Sequence, residues 1–174
     1  MGDDFFGEEQ VAPAAEHSPL ADLRSRRARR RERMFFERPV PGMEPPIYLR
    51  FKPVEQSKFI AAAKRVEKAK NDDAVAVANA ALLVDACVGV FEYDGDGHRV
   101  SVDPADRSPD PADWPRIDQR LGELIADEGQ TLTRASDTAR ALFDNDMALG
   151  AMADEVLEWS RSMNETLEEE HAGN

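Results

Sequence analysis

The residues best placed to do chemistry lie between Glu92 and Asp103. Glu92, Asp94 and Asp96 alternate along the chain, Gly97 follows, and Asp103 stands eleven residues after Glu92. Calcium loops place oxygen ligands at positions 1, 3, 5 and 12 with glycine at 6. This stretch departs from that pattern: Glu opens it, Asp closes it, and apolar Val100 takes position 9. Pro104, directly after Asp103, suits a loop better than a helix. The stretch reads instead as a β-hairpin turn, because Asp-Gly pairs tolerate the positive φ of tight turns. Carboxylates at such a tip stay solvated, without the burial that tunes a catalytic pKa. His17, His98 and His171 lie far apart, and none pairs with a cysteine or carboxylate at metal spacing. Gly89, Gly95 and Gly97 surround the hairpin rather than a phosphate, and the chain has no local nucleophile motif. These observations predict a non-enzymatic protein that uses neither metal nor cofactor.

The elements that would carry such a turn are helical. Apolar residues recur at steps of three and four over Leu149, Met152, Val156, Trp159, Met163 and Leu167, which predicts a long terminal helix with Asp144 or Asp146 as N-cap. Val156 and Trp159 are expected in its core face. Met147 and Leu157 fall outside that stripe and are candidate partner contacts. The acidic run Glu168–Glu170 opposes the helix dipole and is expected to fray. Val54–Lys70 shows a stripe of Phe59, Ile60, Ala63 and Val66, with Lys58, Lys64, Arg65 and Lys68 outward. Ala74–Phe91 is apolar on nearly every side from Ala80, and places Leu82, Val84 and Cys87 in the core, with a strand left open over Val88–Glu92. Shorter helices are expected over Ile117–Ala126 and over Thr133–Phe143, the latter capped by Thr131 or Thr133. Tyr48–Phe51 reads as a short strand or an extended anchor. The sum is a mainly α fold: a small bundle of about five helices, one short β-hairpin and a disordered N-terminal tail.

Composition sets the boundaries. The net charge is −13, with nine acids against eight arginines over residues 1–46 and 26 acids against 14 bases over the rest. So acidic a body is a poor surface for duplex DNA. Residues 1–46 are expected to form an acidic and arginine-rich tail ending in a proline-rich linker, dispensable for the folding of a domain over residues 47–170. Within the tail, Phe5 and Phe6 are either a docking point or a solvated pair. Arg24, Arg26, Arg27, Arg29, Arg30, Arg31 and Arg33 make a basic run that suits nucleic acid or an acidic protein surface, with no interleaved aromatic to stack on bases. Cys87, the single cysteine, excludes an internal disulfide and reads as a small buried hydrophobe. No stretch approaches the ~18 apolar residues of a membrane span, and no signal peptide is visible, so a cytoplasmic protein is expected.

Three segments carry a resemblance. Tyr48-Leu49-Arg50-Phe51, Leu82 through Phe91, and the run from Ala141-Leu142-Phe143 through Asp144-Asn145-Asp146 to Val156-Leu157-Glu158-Trp159-Ser160 resemble, in that order, tail assembly chaperones of long-tailed phages that infect actinobacteria. The likeness covers roughly residues 47–170. It implies a factor, without an active site, that binds the tape measure protein and tail tube subunits during tail building, with room for self-association, and that is absent from the mature virion. If viral, its place is the host cytoplasm. The arginine run lies outside the resemblance and supports the alternative of a nucleic-acid-associated or adaptor protein.

Overall fold

A computed structural model describes residues 19–172. It divides into two compact units, Met1–Arg33 and Met34–Asn174. In the first, residues 19–33 form a helix, α1 (Pro19–Arg33), rather than a disordered tail. Proline suits the first helical turn, where its missing N–H costs nothing. Asp22 complements the N-terminal end of the dipole and pairs with Arg26 one turn on at 2.7 Å, an exposed contact of small energetic weight. All its described side chains from Leu20 are exposed, so α1 builds no core of its own.

The second unit is mixed α/β, which overturns the expected helical bundle with one hairpin. Its elements are β1 (Phe36–Pro39), β2 (Tyr48–Phe51), α2 (Gln56–Glu67), α3 (Asp72–Ala86), β3 (Cys87–Tyr93), β4 (Arg99–Ser101), α4 (Gln119–Ile125), α5 (Ala135–Phe143) and α6 (Asp146–Ala172). The four strands form one antiparallel sheet in sequence order. The β3–β4 hairpin turns at Asp94–Gly97 as expected, with Gly97 at φ 80°. The β1–β2 ribbon and its pairing with β3 were not expected. Two four-residue strands carry little periodicity, and α2 and α3 intervene between β2 and β3. The proline-rich stretch expected as a linker contributes the end of β1. Pro39 is tolerated because β1 is an edge strand: Val40 N–H bonds Ile47 O, so alternation turns the Pro39 nitrogen away from β2.

Alternation gives the sheet two different faces. Leu49, Phe51 and Val90 point to the helices and join a core with Leu82, Leu83, Leu121, Leu142, Leu149 and Val156. At its centre is α3, packed by α2, α5 and α6. Asn71 caps α3 by accepting from the Ala74 amide. The helix stops at Ala86 and the chain continues as β3 from Cys87, without a loop. Asp118 caps α4, whereas α5 has no side-chain cap, contrary to the role expected of Thr131 or Thr133. Asn145 caps α6 by accepting from the Met147 amide at 2.7 Å, and Asp144 takes the left-handed position that ends α5.

The terminal helix changes partners along its length. Leu149, Met152, Ala153 and Val156 are buried, but at the next turn the buried residue is Ser160, not Trp159. The Ser160 hydroxyl donates to Val156 O and accepts from the Val54 amide at 3.0 Å, fastening α6 to the chain leaving β2. Trp159 is half-buried and stacks on Phe36 of β1, with ring centroids 5.3 Å apart. Arg38 of β1 also reaches Glu155 at 2.8 Å. Residues 34–46 are thus part of the fold: Val40 is 2% exposed and Phe36 joins the core.

This moves the expected boundary from Pro46 to Met34. A chain starting at Met34 should melt within a few degrees of the full chain. A chain starting at Pro45 loses β1, Phe36 and Val40 and should be less stable by roughly 3 kcal/mol or more. Thermal melts followed by circular dichroism distinguish the two; equal transitions for both truncations would contradict the docking of β1.

Candidate interaction surface

The carboxylates from Glu92 to Asp103 do not converge on one point. Glu92 pairs with Arg107, and Asp103 pairs with Arg120 at 2.6 Å. Asp94 Oδ1 accepts from the Asp96 and His98 amides at 3.0 and 2.8 Å, and these bonds, led by that from His98, hold its carboxyl below the usual range. Asp94, Asp96 and His98 nonetheless bring ligand atoms within 4.8 Å of one another, a proximity not anticipated for His98. The group is built around the turn: Asp94 is engaged by backbone amides, and Asp96 and His98 are exposed.

The sheet face away from the helices forms a second small core around Arg50. This guanidinium, on a residue 5% exposed, lies 3.9 Å from the Phe35 ring centroid and 3.6 Å from Glu37, which also pairs with Arg99 at 3.0 Å. Tyr48 stacks on Phe91, Phe91 on Trp114, and Tyr93 meets both Tyr48 and Phe91 edge-on. Trp114 lies against Gly89, where an added Cβ would stand 3.0 Å from the indole. Little in the sequence signalled this cluster, because Trp114 sits in a proline-rich loop. Cys87 is 3% exposed, and burial raises its thiol pKa to about 11, so it is an unreactive core group.

The outer side of α2 is different. Ala62 is the residue this helix buries, while Phe59 is half-buried beneath Arg161. The expected inward stripe is therefore turned outward in part: Ile60 is 47% exposed, Val66 39%, and Ala63 is exposed between them. On α3, Val77 is also 43% exposed. Bases border this apolar strip. Lys64, Arg65, Lys68 and Lys70, with Ala69, Asn71 and Ala74, line an open pocket of about 570 Å³ at the α2–α3 corner. A positive corner on an acidic chain, next to exposed aliphatic side chains, can receive an amphipathic segment carrying carboxylates.

Of the partner contacts expected from sequence, Met147 stands 84% exposed at the start of α6. Leu157 is half-buried and packs against the core, so it is not a free contact. Phe5 and Phe6 lie outside the described residues. Leu82, Cys87 and Val156 are buried, and Val84 packs at the core margin. No family model matches the chain, and no curated protein or solved structure does so either. Among the described residues no helix is long and apolar enough to cross a membrane.

The Asp103–Arg120 pair gives a pH dependence. The Arg120 hydrogen bond, then the Ala105 amide, depress the Asp103 pKa. The stabilisation is therefore present above the unfolded value of about 3.9 and is lost as pH falls through the lower folded value. Asp103→Asn should lower the melting temperature at neutral pH, and the difference from the natural chain should shrink below about pH 4. A constant difference down to the acid limit would show that this carboxylate does not couple to folding.

Proposed function

We propose that this chain is a tail assembly chaperone: a factor that holds a tape measure protein, and tail tube subunits, by binding alone during tail building in the host cytoplasm and leaves before the virion is complete. The observation that carries the reading is the aliphatic strip Ile60–Ala63–Val66 on the outer side of α2, bordered by the Lys64–Lys70 bases. A transient holder of a long helical client needs exposed apolar contact area, with surrounding charge to limit self-association. The resemblance gives further support. Its three segments are β2, the α3–β3 junction and α5–α6, which pack together as the centre of the second unit. The strip lies between the first two of them, on the part of the chain that this core leaves outward.

Ile60→Asp and Val66→Asp change exposed positions and should leave the fold intact. Each should weaken capture of a co-expressed tape measure protein by about tenfold, ~1.4 kcal/mol. Reversing Lys64, Arg65 and Lys68 to glutamate should weaken it further and make the remaining capture less sensitive to salt. Met147→Ala is the control at the other exposed apolar position. Loss of capture with Met147→Ala alone would move the surface to the start of α6. Capture that is absent in the unaltered chain would refute the chaperone reading.

A further inference from the structure

The strip on α2 has a chemical complement at the other end of the second unit. Leu167 follows Met163 one turn on, and Glu165 and Glu168–Glu170 stand around them in the sequence. That acidic run opposes the dipole at the C-terminal end of α6, yet the helix continues to Ala172. The core does not follow it there. Ser160 is the last buried residue among those described, and Glu165 and Thr166 are exposed. The bases of the α2–α3 corner are equally unmatched. Among the described residues no carboxylate lies in salt-bridge range of Lys64, Arg65, Lys68 or Lys70. Within one copy the two surfaces cannot meet. Arg161 of α6 lies over Phe59, and Asn164, three residues on, donates to Val54 O at 3.4 Å. The end of α6 therefore runs back past the start of α2, while the bases cluster at the far end of α2. At 1.5 Å per residue α2 spans about 18 Å, and the helix to Ala172 leads away from that far end.

We propose that the acidic end of α6 from a second copy occupies the α2 strip, so that two copies pair and cover each other's strip. Charge decides the occupant. Two strips facing each other would set base against base and repel. The end of α6 instead brings carboxylates to Lys64 and Lys68, and brings Met163 and Leu167 to Ile60 and Val66. The spacing fits. With the two helices parallel, Met163 beside Ile60 places Leu167 ~6 Å on, within the ~9 Å that separate Ile60 from Val66. Glu168–Glu170 then fall between the levels of Lys64 and Lys68. The bases also neutralise the run that its own helix dipole disfavours. The contact is reciprocal: each copy supplies a strip and an acidic end, so a two-fold axis satisfies both at once. The surface is the one the chaperone reading uses, and the consequence for a client rests on that reading: a client displaces the partner copy.

Sedimentation equilibrium of the full chain without client, from about 1 to about 100 µM, tests the pairing. Dimers should form at about 50 mM salt and dissociate toward about 500 mM. Glu168→Lys, Glu169→Lys and Glu170→Lys together should weaken pairing about tenfold or more, and so should Lys64→Glu, Arg65→Glu and Lys68→Glu together. An equimolar mixture of these two variants should restore pairing, because each strip then meets an end of opposite charge. Thermal melts matching the natural chain check that both variants fold. Three results would overturn the proposal: a monomer at every concentration; pairing unchanged by reversal of the acidic end; or a mixture no better paired than either variant alone. Because pairing is read without a client, its failure leaves the chaperone reading standing, and failed capture leaves the pairing standing.

Discussion

The fold depends on the burial of α3. Ala76, Ala80, Leu82, Leu83 and Ala86 are all nearly inaccessible, and α2, α5 and α6 pack around the helix that carries them. A helix apolar on so many sides is unstable in water alone and obliges its neighbours to cover it. The same chain then becomes β3 at Cys87 without a loop, which fixes where the sheet lies relative to the helices. Val90 extends the core onto the sheet, and Phe91, one residue on, begins the aromatic cluster on the opposite face. One continuous segment therefore organises both cores.

That constraint explains why α2 is left with apolar residues outside. α3 packs against α5 and α6 as well as α2, and α2 buries only Ala62 fully, with Phe59 packed at the core margin. Ile60 and Val66 then have no place in the core. An aliphatic strip on an outer helix, next to Lys64, Arg65 and Lys68, is a surface suited to an acidic amphipathic helix. The proposed role rests on this arrangement rather than on any reactive group. Glu92 is engaged by Arg107, Asp103 by Arg120 and Asp94 by backbone amides, while Asp96 is exposed.

The helices were legible because each is written locally. The 3.6-residue pattern located α2, α4, α5 and α6, and the run that is apolar on nearly every side located α3, although it carried the expected helix to Phe91, past its end at Ala86. The Asp94–Gly97 turn was equally local. Beyond that hairpin Tyr48–Phe51 was readable as a short strand, but the sheet it joins was not: β1 spans only four residues, and β2 meets β3 only after two helices intervene. The same limitation hid the roles of Phe36, Arg50 and Trp114, which acquire their partners from distant parts of the chain. Periodicity also misjudged direction. It put Phe59, Ile60 and Val66 on one inward stripe, and Trp159 in the core, because a pattern shows which residues share a face but not how much of that face is covered. Ser160, a polar residue, gained the buried place by bonding Val54 and Val156 O.

The most direct test of the central claim is hydrogen exchange of the full chain alone and bound to the tape measure protein. If α2 is the holding surface, amides of Gln56–Glu67 and of the first turn of α3 gain protection in the complex, while those of β3 and the middle of α6, already deep in the fold, stay unchanged. Protection appearing at the start of α6 with none at α2, or no change anywhere in the second unit, would contradict the account.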